Sequence, residues 1–276
     1  MERVKSYQEF GDKVKAFRKK ARTESNCYFL PKEVRKMTEK GTLYLEESED
    51  CLLFLVRETN CYRLYYYLRE GGTPVTEKKD MPVFLDFVYK KETEEKEKFL
   101  ISLWKKQGFQ VYKKYRRMEC LGENFVSPVD QAEMQKKYPI QNLGPENYEE
   151  CIALWKTCLD EYSTILPDRE EFTYACEKGQ IMGVILPDGS VGAVDRGIFK
   201  GRTAFMQHLS VSPSLRGIGM GRTLCYASIA VMFTDRGAEK VNFWVDEKNT
   251  HAIGIYERMG FTYDGKVSGQ LKLDKK

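Results

Sequence analysis

The sequence predicts an α+β fold with two domains in tandem, each a mixed, mostly antiparallel sheet flanked by helices. The chain has 276 residues, which is long for one compact domain and comfortable for two. The first half reads as two helices, a meander, a strand, a helix and a strand, and the second half repeats that order. Only the second half adds a glycine-rich connection and a helix after its third meander strand.

Periodicity and chain breakers define the elements of the first half. Helices are predicted at Tyr7 to Lys20, Pro31 to Lys40 and Glu94 to Lys106. Strands are predicted at Thr42 to Glu46, Cys51 to Glu58, Tyr62 to Glu70, Val83 to Tyr89 and Gln110 to Tyr115.

A short aromatic pattern supports the repeat. Trp104, followed by Gly108-Phe109, is echoed by Tyr256, followed by Gly260-Phe261, and the two aromatics lie 152 positions apart (256 − 104). Short matches of this kind also arise by chance, so both explanations stay open. The repeat predicts a first domain at residues 1–125, a linker at 126–138 and a second domain at 139–276.

In the second domain, helices are predicted at Asn147 to Tyr162 and from Asp168 to Tyr174. Three antiparallel strands then follow at Gln180 to Ile185, Ser190 to Ile198 and Thr203 to Val211. A further strand is predicted at Lys240 to Val245.

Composition excludes several classes of protein. Charged residues make up 31% of the chain and the net charge is +4, too mild a basic balance to indicate a nucleic-acid partner. The longest apolar run, Cys51 to Val56, is far shorter than the roughly 20 residues of a membrane helix. Eight scattered cysteines and two histidines indicate reduced thiols and no metal site. We therefore expect a cytoplasmic monomer or homodimer.

The stretch from Val211 to Arg222 is typical of an anion site. It reads as a strand end, a turn and a glycine-rich entry into a helix, where unpaired backbone N–H groups and the helix dipole favour phosphate. The loop glycines let a diphosphate approach the backbone, and Arg216 and Arg222 add charge. The pattern fits neither a Walker loop nor the dinucleotide fingerprint.

A second segment makes the pattern specific. Asn249 is a natural N-cap after the strand at Lys240 to Val245, and Tyr256 lies seven residues, or two helical turns, further on. Together, Arg216-x-x-Gly219-x-Gly221 and the segment from Asn249 to Phe261 resemble the two cofactor motifs of the GNAT acyl-CoA N-acyltransferases. The resemblance covers residues 138–276. On the repeat explanation, the first domain is a degenerate GNAT-like copy without the cofactor loop.

The resemblance also implies roles for single residues. The Leu209 backbone would bind the acetyl carbonyl, Val211 would pair with the pantetheine amide, and Tyr256 would be the general acid beside the sulfur. The expected contacts to acetyl-CoA are Leu209, Val211, Arg216, Gly217, Ile218, Gly219, Met220, Gly221, Arg222, Asn249 and Tyr256.

The general base departs from the family pattern. Many relatives have a Glu where this chain has Phe205 or Gln207, and neither of these can accept a proton. The candidates that remain are His208, which would need a bulge to reach the thioester side, and the loop carboxylates Asp246 and Glu247. An amine that arrives neutral needs no strong base, because positioning supplies much of the rate.

The predicted function is acetyl transfer from acetyl-CoA to a primary amine of a small molecule or peptide. Two alternatives stay open: a non-catalytic module that senses acyl-CoA, and a tandem-fold aminoacyltransferase that uses aminoacyl-tRNA. The sequence does not name the acceptor, because acceptor specificity lies in loops of no fixed pattern.

Overall fold

The computed structural model describes residues 1–126 and 132–276, which form two compact units. The first unit comprises Met1–Lys114 and Lys266–Lys276, and the second comprises Tyr115–Gly265. The domains predicted at residues 1–125 and 139–276 differ from these units at two segments, since residues 115–125 lie in the second unit and 266–276 in the first. Part of the predicted linker, 126–138, lies outside the described residues.

The described elements follow the predicted order closely. Up to residue 121 they are β1 (Glu2–Arg3), α1 (Tyr7–Arg18), β2 (Thr23–Ser25), α2 (Pro31–Lys40), β3 (Leu43–Glu47), β4 (Cys51–Arg57), β5 (Tyr62–Arg69), β6 (Val83–Lys90), α3 (Glu94–Lys106) and β7 (Gln110–Leu121). From residue 132 they are α4 (Ala132–Lys137), β8 (Gln141–Asn142), α5 (Tyr148–Cys158), α6 (Arg169–Glu177), β9 (Ile181–Ile185), β10 (Val191–Lys200), β11 (Thr203–Val211), α7 (Met220–Thr234), β12 (Lys240–Asp246), α8 (Thr250–Arg258) and β13 (Thr262–Leu273).

Local chemistry sets the helix ends. At α2, Pro31 occupies the first turn, where its missing N–H costs nothing, and the Glu33 carboxylate accepts a hydrogen bond from the Leu30 N–H at 2.7 Å. Gly41 ends the helix with a left-handed φ of 66°. Helix α6 also begins with a side-chain cap: the Asp168 carboxylate accepts a hydrogen bond from the Glu171 N–H at 3.0 Å.

The sheet of the first unit has the strand order β1-β3-β4-β5-β6 and is closed by residues 266–273 of β13. Its strand pairs are antiparallel except β5 with β6, which are parallel. One face packs around the fully buried Trp104 of α3, and the other around Phe54 with α1 and α2. Helices therefore cover both faces of the sheet.

The second unit repeats this topology. Its sheet has the order β8-β9-β10-β11-β12 and is closed by residues 115–121 of β7, with β11 and β12 as the parallel pair. Helices α5 and α6 bury Trp155 and Phe172 on one face, and α7 and α8 pack with Phe243 on the other. The predicted fold class, two mixed and mostly antiparallel sheets in tandem, is confirmed.

The units differ in one connection. In the second unit the chain passes from β11 to β12 through the glycine-rich loop and α7. In the first unit residues 70–82 join β5 to β6 without a helix. As predicted, only the second unit keeps the loop.

No helix within residues 1–126 and 132–276 is both long and apolar enough to cross a bilayer. The eight cysteines are all described, and each is a free thiol.

Candidate active site

The glycine-rich loop has the geometry of an anion site. Gly219 is the N-cap residue of α7, and Gly217 and Gly219 have φ values of 80° and 93°, which side chains of L residues rarely tolerate. A Cβ built on Gly217 would meet no heavy atom within 4 Å, so the space over the loop is open. None of the backbone N–H groups of residues 217–222 donates a hydrogen bond to another described residue. These donors are available to an external anion at the positive end of α7.

The two arginines of the loop have different surroundings. The Arg216 Nε donates to the Val211 carbonyl oxygen at 3.2 Å, and its Nη2 lies 3.3 Å from the Cys158 Sγ. Arg222, in the first turn of α7, is exposed. One guanidinium is therefore held at the end of β11 and the other faces solvent beside the open loop.

The central strands separate next to this loop. β11 and β12 pair in parallel at only three positions, Thr203–Phe205 with Lys240–Asn242, and no pair joins them beyond that point within the described residues. Leu209 and Val211 lie on the part of β11 that does not pair with β12. Backbone groups on the open side of β11 can therefore bind an extended ligand as an added strand would.

A β-bulge lies at the separation. Ser210 pairs with Val194 and Gln207 with Arg196, so His208 and Leu209 together oppose the single residue Asp195. The backbone strain of the bulge lies at His208, which has a φ of 58°, a value that is rare for a residue with a side chain. Its carbonyl oxygen accepts a hydrogen bond from the Trp155 indole N–H at 2.7 Å, which anchors the bulge to α5.

Helix α8 presents the two motif residues predicted from its spacing. The Asn249 side chain accepts a hydrogen bond from the Ala252 N–H at 3.1 Å and so caps the helix. Tyr256 packs edge-on against Phe243, with ring centroids 4.4 Å apart. Burial raises the pKa of the Tyr256 phenol, and the nearby Cys225 raises it further. The phenol therefore keeps its proton through the physiological range.

The predicted base candidates are dispersed. The His208 ring packs edge-on against Trp155 at 5.3 Å, and burial, with the charge of Arg196, lowers the pKa of His208 to about 4. Asp246, at the end of β12, accepts a hydrogen bond from the Lys248 N–H at 2.9 Å. Glu247 follows it in the loop, half-buried. The bulge that His208 needs is present, and it turns the ring toward α5.

One buried group escaped the sequence analysis. Asp195 of β10 lies opposite the bulge, is 1% exposed and accepts a hydrogen bond from the Ser228 hydroxyl at 2.9 Å. Its second oxygen has no partner among the described residues, and burial raises the pKa of Asp195 to about 7. A lone Asp within β10 has no motif around it that would mark it in the sequence.

These residues fit an acyl-CoA carrier. The loop offers unpaired N–H donors under open space, and the separated strands offer an edge to an extended arm. For a metal ion the situation differs: the described residues hold no group of three or more His, Cys, Asp or Glu side chains suited to one.

Comparison with known proteins identifies the domain. Residues 134–261 match the model of the acetyltransferase (GNAT) family. These residues belong to the GNAT family. The resemblance drawn from the segments around Gly219 and Tyr256 is therefore confirmed, and the GNAT domain falls within the second unit.

Two curated proteins share sequence with the GNAT domain. A mycothiol acetyltransferase of Salinispora tropica is 43% identical over 64 residues, which are 23% of this chain and 21% of that protein. The peptidyl-lysine N-acetyltransferase YjaB of Salmonella typhimurium is 27% identical over 135 residues, 47% of this chain and 83% of that protein. The chain thus matches only about a fifth of the length of the mycothiol enzyme.

A solved structure extends the likeness in fold to both units. A tandem GNAT protein from the clavulanic acid biosynthesis pathway has a TM-score of 0.51 at 11% identity. The likeness covers 84% of this chain and 83% of that one. At this identity it concerns the fold alone, and it agrees with the repeated topology of the two units.

Proposed function

We propose that the protein is an acetyl-CoA-dependent N-acetyltransferase that acetylates a primary amine of a small molecule or peptide. The observation that carries the proposal is the junction of two features: strands β11 and β12 separate after three paired positions, and the loop at the end of β11 holds unpaired N–H groups. Family membership of residues 134–261 supports it.

The binding residues divide by the part of the carrier that they would hold. The N–H groups of residues 217–222, with Arg222, would hold the diphosphate. The backbone of Val211 would hold the pantetheine arm, and the Leu209 N–H would bind the acetyl carbonyl and stabilise negative charge on its oxygen. Ile218 and Met220 would contact the carrier through their backbone only. Arg216 and Asn249 would hold the chain in shape where α7 and α8 begin. When bound, acetyl-CoA supplies an activated thioester.

Tyr256 would protonate the departing sulfur. A thiolate leaves more readily when a proton reaches it, and general acids of this kind contribute about 10²- to 10⁴-fold in rate. Because the pKa of its phenol is raised, Tyr256 still carries a proton at the pH at which amines begin to be neutral. Packing against Phe243 fixes the direction of the ring.

His208 is our proposal for the proton acceptor. It follows Gln207 at the point where the strands separate, and it is next in sequence to Leu209. Burial lowers the pKa of His208 to about 4, so the ring is neutral at physiological pH but a weak base. It would therefore pass the proton on to water rather than keep it. Asp246, the last residue of β12, and Glu247, which follows it, are the alternatives, through a water relay.

The relatives' names support an amine as the class of acceptor. One relative is named for acetylation of peptidyl-lysine and another as a mycothiol acetyltransferase. We therefore propose a primary amine as the acceptor, and a panel of polyamines, amino sugars and lysine peptides is the suitable first screen.

The test is Tyr256→Phe, with the exposed Tyr174→Phe in the same unit as the matched control. We expect turnover, measured as free thiol released with an amine from the panel, to fall by about 10²-fold or more for Y256F. Acetyl-CoA affinity, measured by calorimetry, should change less than about threefold, because the phenol contributes to the transition state and not to binding.

Three other results would contradict parts of the proposal. Loss of affinity alone in Y256F would make Tyr256 a packing residue. Binding of acetyl-CoA without turnover of any amine would favour a sensing module, for which the absence of a Glu at residues 205 and 207 is the supporting observation. No binding by a folded wild-type protein would overturn the function altogether.

A further inference from the structure

The strand separation seen in the second unit recurs in the first. β5 and β6 pair in parallel at only three positions, Tyr62–Leu64 with Val83–Leu85. In the second unit the corresponding pairing joins Thr203–Phe205 to Lys240–Asn242, also at three positions. Each unit therefore has a central parallel pair that opens after one short run.

In the first unit this opening is filled by the chain itself. Strand β2 runs antiparallel along the open part of β5, pairing Thr23–Ser25 with Tyr67–Arg69. The Ser25 hydroxyl donates to the Tyr66 carbonyl oxygen at 2.6 Å. The backbone edge that a ligand would need is therefore already occupied.

Asn26 closes the point of separation. Its Nδ2 donates to the Leu64 carbonyl oxygen at 3.2 Å and to the Asp86 carbonyl oxygen at 3.0 Å, so one side-chain amide bridges β5 and β6. Its Oδ1 accepts a hydrogen bond from the Tyr66 N–H at 2.8 Å. Three backbone groups left unpaired by the separation are thus satisfied by a single side chain, which avoids the cost of unpaired backbone groups.

The first unit also lacks the anion site. Residues 70–82 join β5 to β6 with no helix, so no helix N-terminus lies at the end of β5 to hold a diphosphate. Gly71 has a left-handed φ of 77°, as a turn requires, but no ordered row of N–H donors follows in a helix.

We infer that residues 23–26 act as a built-in ligand of the first unit, occupying the opening that in the second unit receives the arm of acyl-CoA. This inference rests on the proposed function of the second unit. Its consequence is that each chain binds one acyl-CoA, in the second unit only, while the first unit is held together by its own segment.

Calorimetric titration of the whole chain with acetyl-CoA tests the stoichiometry, and hydrogen exchange with and without the ligand locates it. We expect one equivalent, with slower exchange at residues 209–222 and unchanged exchange at residues 62–69. Two equivalents, or protection at residues 62–69, would overturn the inference. No binding at all would instead refute the proposed function and leave the packing of residues 23–26 to be judged by the variant below.

The variant is Asn26→Ala, with Gln8→Ala as control because Gln8 is an exposed residue of α1 in the same unit. Removal of the side-chain amide should speed exchange of the Tyr66 N–H at least tenfold and lower the melting temperature by several degrees, while Q8A leaves both unchanged. If N26A does not fold while Q8A does, the first unit depends on the Asn26 side chain for folding itself. Unchanged exchange at Tyr66 in N26A would mean that the segment does not hold the opening closed.

Discussion

Asp195→Asn should change the pH dependence of stability in a defined direction. Burial raises the pKa of Asp195 from 3.8 in the unfolded chain to about 7 in the folded one, so the folded state binds its proton more tightly. Stability is therefore highest below the unfolded pKa and is lost as the pH rises toward 7. Between pH 5.5 and pH 8 the free energy of unfolding should fall by about 2 kcal/mol through this group.

A second buried group acts in the opposite direction. The pKa of His208 is lowered from 6.5 to about 4, so protonation of the unfolded chain destabilises the fold as the pH falls below the unfolded value. Over the same interval this amounts to about 1.4 kcal/mol of stability gained as the pH rises. In the wild type the contributions of Asp195 and His208 largely cancel, so the effect of Asp195 emerges when the variant is compared with the wild type.

The assay is scanning calorimetry of wild type and D195N at pH 5.5 and pH 8. The variant's melting temperature relative to wild type should rise by about 4–8 °C from the lower to the higher pH, since about 1 kcal/mol shifts the melting temperature by roughly 2–4 °C at this size. Cys225 and Tyr256 feel the charge of Asp195, but burial raises the pKa of both side chains, so both stay neutral between pH 5.5 and pH 8. Asp188→Asn, in an exposed turn, is the matched control and should show no such trend. An equal difference between D195N and wild type at both pH values would refute the titration of Asp195 in this range.

Two further substitutions probe the site. Gly219→Ala places a side chain at a φ of 93°, so it should cost about 1–3 kcal/mol of stability and weaken acetyl-CoA binding in calorimetry. The control, Gly254→Ala inside α8, should stabilise the protein slightly. Equal effects of the two substitutions would contradict a special role for the loop. His208→Gln should lower kcat/KM about 10²-fold, while the control His251→Gln, at an exposed residue, leaves it unchanged. Because the pKa of His208 is about 4, the wild-type rate between pH 8 and pH 6 should vary only with the neutral fraction of the acceptor amine. Full activity of H208Q would return the base role to Asp246 or Glu247.

Elements governed by local sequence were predictable. Pro31 at a helix start, Asn249 as an N-cap and the glycines of the loop act through the backbone of their nearest neighbours, so their patterns carry enough information. The predicted helices at Pro31 to Lys40 and Glu94 to Lys106 and the strand at Thr203 to Val211 have the bounds that the structure gives them.

Features that depend on distant pairing were not predictable. Strand β2 has three residues and no apolar alternation, so its sequence carries no strand signal. It is held by pairing with β5, more than 40 positions away. The bulge at His208 depends on the register with β10, which the sequence of β11 does not contain. Asp195 became notable only when its burial against Ser228 was seen.

The path of the chain through the two units bears on how the protein can be divided. Each sheet is completed by a strand encoded in the opposite half, residues 266–273 beside β6 and residues 115–121 beside β12. A fragment starting near residue 138 would lose the partner of β12 and carry a strand with the apolar residues Leu271 and Leu273 but nothing to pair with, and such bare edges aggregate. Cutting the gene between its two copies would therefore damage both products. This mutual dependence gives a reason to keep a copy without a cofactor loop: without residues 115–121 the GNAT half would lose the partner strand of β12.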